Sequence, residues 1–121
     1  MRIVRLPGIH HDANAVLLIG SDEAILIDSG TAWYQLLQQE RIIGQCGEEC
    51  KLREIVLTSR RYPFSGGSRA ISERFGDVPI SAHHSAISSL STGDFFTTWA
   101  NRFDSDMPRF EVEGIDESTV K

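Results

Sequence analysis

This chain has two short apolar runs near its start, separated by a two-residue turn, and they limit the folds that it can adopt. Residues 14–20 and residues 23–28 are rich in aliphatic side chains, and Ser21-Asp22 lies between them. Runs of this length bounded by turn-forming residues are typical of β-strands, and so short a link between them indicates a hairpin. The second run ends at Asp28-Ser29-Gly30, where we expect the chain to leave the sheet.

Beyond the hairpin, the pattern alternates between helix and strand. From Thr31 onward, apolar residues recur near three- and four-residue spacing, which predicts an amphipathic helix that ends around residues 44–47. Its apolar positions are Trp33, Leu36, Leu37 and Ile43. The other predicted elements are strands at 2–6, 54–58, 78–82 and 109–113, a helix at 68–75 with Ser65 as its cap, and a helix at 84–90. This order predicts an α/β layer arrangement.

Length and charge narrow the classes of function. The 121 residues give room for one domain, spanning 1–121, in which residues 103–121 are predicted to be weakly structured or to form an edge strand. A formal net charge of -5 argues against nucleic acid as a partner. No apolar stretch is long enough to cross a membrane or to act as a signal, so we expect a cytoplasmic location without membrane contact.

Two cysteines, Cys46 and Cys50, lie close together in the sequence Cys-Gly-Glu-Glu-Cys. Half of a zinc site can have this spacing, but no second pair of cysteines or histidines follows at the distance that a zinc finger needs. We therefore expect two reduced thiols, with a redox or metal-binding role as the alternative.

Three segments of the chain, taken in order, resemble one family. They are Asn14-Ala15-Val16-Leu17-Leu18-Ile19 with Ala24-Ile25-Leu26-Ile27-Asp28-Ser29-Gly30, then Ile55-Val56-Leu57-Thr58 with Ser65-Gly66-Gly67, and last Pro79-Ile80-Ser81-Ala82-His83 with Leu90-Ser91-Thr92-Gly93-Asp94. Over about residues 12–115, their order and spacing are similar to the N-terminal half of the metallo-β-lactamase superfamily. The resemblance implies half of an αββα sandwich, that is, a mixed β-sheet with helices on one face.

The resemblance also implies where a metal would bind. The family has His-x-His-x-Asp-His directly after the threonine at the strand end, and this run holds zinc or iron for hydrolysis. In the same place this chain reads Ser59-Arg60-Arg61-Tyr62-Pro63-Phe64, so the four ligand positions hold Ser59, Arg61, Pro63 and Phe64. Proline and phenylalanine carry no side-chain donor for a metal, and arginine stays cationic. We therefore expect neither a metal nor another cofactor.

The length of the chain is a second departure, because the family's enzymes continue for about as long again. A truncated reading frame, a degenerate paralogue or one gene of a split pair would each give such a chain. The sequence predicts a metallo-β-lactamase-like pseudoenzyme that is non-catalytic and acts as an interaction or anion-binding module. The alternative is a metal-dependent hydrolase whose site is completed by a partner chain or a missing second half.

Several polar residues remain as candidates for a site. His10-His11-Asp12 and His83-His84 could bind a metal, but solvated pairs, or a helix cap at His84, are the simpler interpretation. Asp28 resembles the family's early aspartate, and we expect it to accept hydrogen bonds from backbone N–H groups. Asp28 and His84 are therefore site-like positions with a structural role.

Arginines in the altered loop suggest a different type of ligand. Arg60 and Arg61 precede Ser65-Gly66-Gly67 at the start of a predicted helix. Helix N-termini and guanidinium groups both favour anions, so these five residues could hold a phosphate or a carboxylate. The alternative is a decayed loop whose arginines lie in solvent.

Half of a fold also predicts a partner. In the family two sheets pack face to face, so a single half leaves one face, on the order of 400 Å² in area, without its cover. A patch of that size is at the upper end for a monomer. A second copy related by a two-fold axis, a separate chain or the C-terminal segment could cover it. We expect a homodimer or a complex with a partner chain.

Overall fold

The structure is a computed structural model that describes residues 1–10, 12–47, 51–59, 61–83 and 113–115. Its strands are β1 (Arg2–Leu6), β2 (Ala15–Ile19), β3 (Glu23–Ile27), β4 (Lys51–Leu57), β5 (Ile80–His83) and β6 (Glu113–Ile115). Its helices are α1 (Gln35–Cys46), which follows a 3₁₀ turn at Ala32–Tyr34, α2 (Tyr62–Ser65) and α3 (Ser68–Arg74).

All the described strands belong to one sheet, in the order β1-β2-β3-β4-β5-β6. The first three strands pair antiparallel, as the predicted hairpin requires, and β3 to β6 pair parallel. Parallel neighbours need a crossover connection. Helix α1 lies between β3 and β4 in the chain, and α2 and α3 lie between β4 and β5. The predicted α/β fold with a mixed sheet is confirmed.

The two faces of the sheet differ in their cover. On one face, here called the helix face, strand side chains form a single buried cluster with Ile42 of α1 and Ile71 of α3. The strand members of this cluster are Leu6, Ala15, Leu17, Ile19, Ala24, Leu26, Leu52, Ile55, Leu57, Ile80 and Ala82. Because side chains alternate along a strand, the residues between them project from the opposite face, here called the far face. Helices α1 and α3 thus lie on one face, as predicted.

Helix α1 buries a different set of side chains from the one that its apolar spacing predicts. Trp33 is 69% exposed and Leu36 is 68% exposed. The residues that α1 buries are Gln38, Gln39 and Ile42. Each buried amide has a local partner, Arg41 for the first and Gln35 for the second. The predicted apolar face is therefore wrong, because side-chain hydrogen bonds allow polar residues to face inward.

The boundaries of several elements also differ from the predicted ones. Strand β4 begins at Lys51 rather than at residue 54, and β5 begins at Ile80 rather than at residue 78. The predicted cap at Ser65 is wrong. Helix α3 begins after Gly67, and the Ser65 hydroxyl donates to the Arg61 carbonyl at 3.0 Å, within the short helix α2.

Some predicted elements lie outside the described residues. These are the helix at 84–90 and residues 109–112 of the predicted edge strand. Strand β6 pairs with β5 and falls within the stretch 103–121, for which weak structure or an edge strand is predicted. The extent of the single domain, 1–121, stays a prediction.

Cys46, the last residue of α1, is disulfide-bonded and packs against the core. Cys50 is the other cysteine of the sequence and lies outside the described residues. The expectation of two reduced thiols is therefore wrong. The cysteines bracket the short connection from α1 to β4, a relation that their count and spacing alone do not reveal.

Candidate functional site

The candidate site lies at the edge of the sheet where β3 and β4 end. Parallel neighbouring strands present their carboxyl ends at one edge, where α/β proteins place ligands. Asp28 directly follows β3, and Thr58 directly follows β4. The loop 59–64, which stands in place of the histidine run, begins at the same edge.

Asp28 is the buried acid of this edge, with 5% of its surface exposed. Its Oδ1 accepts a hydrogen bond from the Thr58 N–H at 2.8 Å, and its Oδ2 accepts one from the Thr58 hydroxyl at 2.6 Å. Burial raises the pKa of Asp28 above its ordinary value, and the two hydrogen bonds act in the opposite direction. Asp28 therefore ties the end of β3 to the end of β4.

Asp12 ties the loop between β1 and β2 to the loop after β3. Its Oδ1 accepts from the Thr31 N–H at 3.0 Å and from the Thr31 hydroxyl at 2.5 Å. Gly30 has a φ of +76°, and a Cβ there would lie 2.5 Å from Asp12 Oδ2, so the close approach requires glycine. This carboxylate, a candidate metal ligand in the sequence, thus binds the protein's own loop.

Three buried serines fasten the loop 59–64 and the start of α3 to the end of β3. Ser29, Ser65 and Ser68 have no exposed surface. The Ser29 hydroxyl lies 2.9 Å from that of Ser68, which donates to the Ser65 carbonyl at 2.7 Å. The Ser29 N–H donates to the Phe64 carbonyl at 2.7 Å. The loop is therefore held by hydrogen bonds within the protein.

The residues predicted to hold an anion occupy different environments. Ser65-Gly66-Gly67 is buried, and the Gly67 N–H donates to the Gly30 carbonyl at 2.8 Å. Arg61 is exposed, and its side chain makes no hydrogen bond to another described residue. Arg60 lies outside the described residues. Anion binding at this loop stays a prediction, and the Arg61 guanidinium is the described group that is exposed for it.

The two described histidines occupy separate positions. The His10 ring stacks on the Tyr34 ring, with 5.7 Å between centroids and 15° between planes. His83 is exposed at the end of β5, while His11 and the site-like His84 lie outside the described residues. Within the described ranges, no three His, Cys, Asp or Glu residues are grouped so that they could hold a metal ion.

Sequence reasoning singles out Asp28 but misses the partners that complete this edge. The three pairs are Asp28 with Thr58, Asp12 with Thr31 and Ser29 with Ser68, and their members are 30, 19 and 39 residues apart. No hydrophobic period connects residues at such separations. The available signal is the placement of Thr58 directly after β4 and of Ser29 and Thr31 in the loop that follows β3.

Comparison with known proteins bears on the fold. No protein-family model and no curated protein matches the sequence. Among solved structures, the subclass B3 metallo-β-lactamase BJP-1 of Bradyrhizobium japonicum matches with a TM-score of 0.69 at 16% identity, over 86% of this chain and 39% of that chain. SMB-1, bound to 2-mercaptoethanesulfonate, matches with 0.68 at 21% identity, over 98% and 45%. A Cronobacter sakazakii metallo-β-lactamase with an HARLDQ motif matches with 0.65 at 17% identity, over 86% and 37%.

Identities this low bear on the fold and leave activity open. The chain spans less than half the length of each of these three structures. The three structures match most of this chain, whose mixed sheet carries α1 and α3 on one face. The chain therefore has the α/β fold of the metallo-β-lactamase superfamily and corresponds to under half of such a protein.

Proposed function

We propose that this chain is a non-catalytic protein of the metallo-β-lactamase fold, which acts by binding a partner or an anion. The observation that carries the proposal is the loop 59–64 at the ends of β3 and β4. Its side chains are unsuited to a metal ion, and hydrogen bonds within the protein hold it in place. Both features lie at the position where the resembled family binds the metal that it uses for hydrolysis.

The chemistry of the side chains at this loop does not fit zinc or iron. Ser59 and Arg61 stand where the family has two histidines, and Pro63 and Phe64 stand where it has aspartate and histidine. These metals are bound by imidazole, thiolate and carboxylate groups, whereas a guanidinium repels a cation. The neighbouring Asp28 carboxylate already accepts two hydrogen bonds from Thr58.

The anchoring of the loop supports a binding role. The Phe64 carbonyl accepts from the Ser29 N–H, and the Ser68 hydroxyl lies between Ser29 and Ser65. A loop that is already held in one arrangement loses less conformational entropy when it binds a ligand. The loop can therefore lack metal ligands and still present an ordered surface for binding.

The HARLDQ motif of the Cronobacter structure can be set letter by letter against the loop 59–64. HARLDQ has arginine in its third place, as the loop 59–64 has Arg61. It has histidine in its first place and aspartate in its fifth, where this chain has Ser59 and Pro63. Of the four ligand positions, this chain therefore differs from the motif by the loss of the imidazole, the carboxylate and, at Phe64, the glutamine amide, and not by the arginine.

Metal analysis of the purified chain tests the proposal. We expect metal far below stoichiometric amounts, and a melting temperature that neither EDTA nor added Zn²⁺ changes, because a ligand shifts stability only where it binds the folded state. As a positive control, the double variant Ser59→His/Arg61→His restores two imidazoles and is expected to gain zinc affinity. Near-stoichiometric zinc, iron or manganese that stabilises the unmodified chain contradicts the proposal.

A metal-dependent hydrolase completed by a partner chain or a second half is the other candidate. The observation that favours it is coverage, because the matched structures are more than twice as long as the part that this chain covers. The same measurement separates the two candidates. The hydrolase requires a bound metal, whose ligands would come in part from outside the loop 59–64.

The anion-binding form of the proposal depends on Arg61. Millimolar phosphate is expected to raise the melting temperature by several degrees, because a guanidinium pairs with phosphate through two parallel hydrogen bonds. Arg61→Ala is expected to abolish the shift, whereas the matched variant Arg74→Ala, at the end of α3, is expected to retain it. If phosphate causes no shift, partner binding is the form that remains.

Location and other partners also stay proposals. None of the described helices is long and apolar enough to cross a bilayer. We propose the cytoplasm for this acidic chain, with no nucleic acid among its partners. The disulfide at Cys46 argues in the other direction, because disulfides persist mainly in oxidising compartments.

A further inference from the structure

We propose that the far face of the sheet is a self-association surface, on which a second copy of this chain packs with Arg5 of each copy beside Glu54 of the other. The inference rests on the proposed binding role and names its partner. It requires neither a metal nor an anion. The surface lies on the strands β1 to β4.

The far face carries a block of aliphatic side chains. Side chains directly opposite each other on paired strands lie in rows across the sheet, and two such rows cross β1 to β4. None of the aliphatic residues in these rows belongs to the buried core cluster; Ile3 is 68% exposed, and the other five are half-buried. The first row is Ile3, Leu18, Ile25 and Glu54, and the second is Arg5, Val16, Ile27 and Val56.

Two charges of opposite sign lie at opposite corners of this block. Arg5 is on β1 and Glu54 is on β4, so three strand spacings, about 14 Å, separate them within one copy. Neither forms an ion pair with another described residue, whereas the adjacent Arg53 pairs with Glu23 at 3.3 Å. Arg5 and Glu54 are therefore too far apart to neutralise each other.

A two-fold axis between two packed sheets can bring these charges together. If the axis runs near the strand direction, β1 of one copy lies over β4 of the other, and the aliphatic blocks face each other. Arg5 of each copy then lies at the same edge as Glu54 of the other, offset by about 7 Å along the strands and by the roughly 10 Å between packed sheets, and the two side chains point toward each other across this gap. An axis across the strands would instead bring Arg5 toward Arg5 and Glu54 toward Glu54. The charge pattern thus selects the first arrangement.

The area of the far face determines how tightly two copies are expected to associate. Four strands, about 4.8 Å apart and about 17 Å long, give about 330 Å² from each copy and roughly 650 Å² in total, which is about two fifths of a standard stable interface. We therefore expect a weak dimer that dissociates on dilution. The burial of aliphatic side chains supplies the attraction, and the two charge pairs set the register.

Sedimentation of the whole chain over a range from about 10 µM to about 1 mM tests the inference. The average mass is expected to rise with concentration from the 13.5 kDa of one chain toward twice that value. Ile25→Lys places a charge in the middle of the block and is expected to weaken association at least about tenfold. A monomer at every concentration overturns the inference.

Charge reversal tests the register without changing the core. Arg5→Glu alone and Glu54→Arg alone each create two like-charge contacts per dimer, and each is expected to weaken association about fivefold or more. An equal mixture of the two variants is expected to regain the association of the unmodified chain, because both contacts in the mixed dimer are again of opposite sign. No regain in the mixture overturns the proposed pairing.

Glu40→Lys is the matched control, since it reverses an exposed charge on α1, on the other side of the sheet. It is expected to leave association unchanged, and circular dichroism confirms that each variant folds. Metal analysis of the same samples separates this inference from the proposed function. A metal-free monomer overturns the dimer alone, whereas stoichiometric metal contradicts the non-catalytic role whatever the oligomeric state.

Discussion

At the scale of single residues, Asp28 combines two opposing effects on one carboxylate. Burial disfavours its ionised form, while the N–H and hydroxyl of Thr58 favour it, and burial is the larger effect on its pKa. Its φ of 65° lies in the left-handed region, which aspartate and asparagine tolerate better than most residues. A short acidic side chain thus meets both the backbone and the hydrogen-bonding needs of this strand end.

The raised pKa of Asp28 predicts how the stability of the fold depends on pH. Between the unfolded pKa, near 3.9, and the raised pKa of the folded state, the folded chain holds more protons than the unfolded chain. The contribution of Asp28 to stability is therefore complete below this window and is lost as pH rises through it. Asp28→Asn is expected to remove this contribution from the pH profile, because its amide does not ionise.

Urea denaturation at a series of pH values measures this effect. The amide introduced by Asp28→Asn would keep an oxygen for the Thr58 N–H and could donate to the Thr58 hydroxyl, so the variant is expected to fold. Asp77→Asn is the matched control, because Asp77 also has a left-handed φ, of 60°, but is exposed. If Asp28→Asn and Asp77→Asn both give the same dependence of stability on pH as the unmodified chain, ionisation of the buried Asp28 does not contribute to that dependence.

The residue scale also shows what a sequence cannot reveal. Asp28 could be assigned a structural role because it ends an apolar strand, and the structure has it accepting two hydrogen bonds. The role of Asp12 could not be predicted in the same way. Asp12 contacts its partner Thr31 only in the folded chain, where two loops pack together, and no local sequence pattern predicts this contact. The sequence therefore leaves a solvated side chain, or a metal ligand as the alternative, for Asp12, whereas the structure has a hydrogen bond between two loops.

At the scale of elements, the start of α3 packs directly on the loop between β3 and α1. A Cβ at Gly67 would lie 2.9 Å from the Thr31 carbonyl oxygen and 3.2 Å from that of Ser29. Both neighbours are backbone atoms, which cannot move aside as a side chain can. Gly67→Ala is therefore expected to destabilise the fold by about 1–3 kcal/mol, the usual cost of overpacking.

Gly44→Ala in α1 is the matched control for this prediction. No atom lies within 4 Å of a Cβ at that position, which is exposed and within a helix. The change is expected to stabilise the fold by about 0.5–1 kcal/mol, because alanine loses less backbone entropy than glycine. Chemical denaturation measures both variants. Equal effects of the same sign would show that backbone crowding at Gly67 does not govern its packing.

The predictability of the elements follows from the strength of their patterns. Strands β2 and β3 could be located because both are apolar and separated by a two-residue turn. The inward face of α1 could not, because Trp33 and Leu36 have helical spacing but lie outside the core. Hydrophobic spacing assumes that apolar side chains are the ones buried. In α1, Gln38 and Gln39 are buried instead, because each has a side-chain hydrogen-bond partner. Such pairing is visible only in three dimensions.

At the scale of the whole molecule, the forces that hold the described residues together are aliphatic packing, hydrogen bonds and a disulfide. One cluster of aliphatic residues joins the sheet to α1 and α3, and hydrogen bonds between loops close the edge where β3 and β4 end. The disulfide at Cys46 adds a covalent constraint at the end of α1. These features together predict different responses to a chelator and to a reducing agent.

A reducing agent is expected to lower the melting temperature by several degrees, whereas EDTA is expected to have no effect. Opening a disulfide costs about 2–4 kcal/mol, because the unfolded chain regains conformational freedom. Cys46→Ser is the control, because a chain without the bond starts at the lower melting temperature and no longer responds to the reducing agent. Equal melting temperatures before and after reduction would mean that the core alone fixes the end of α1. A response to EDTA alone would mean that a metal, and not the bond at Cys46, stabilises this fold.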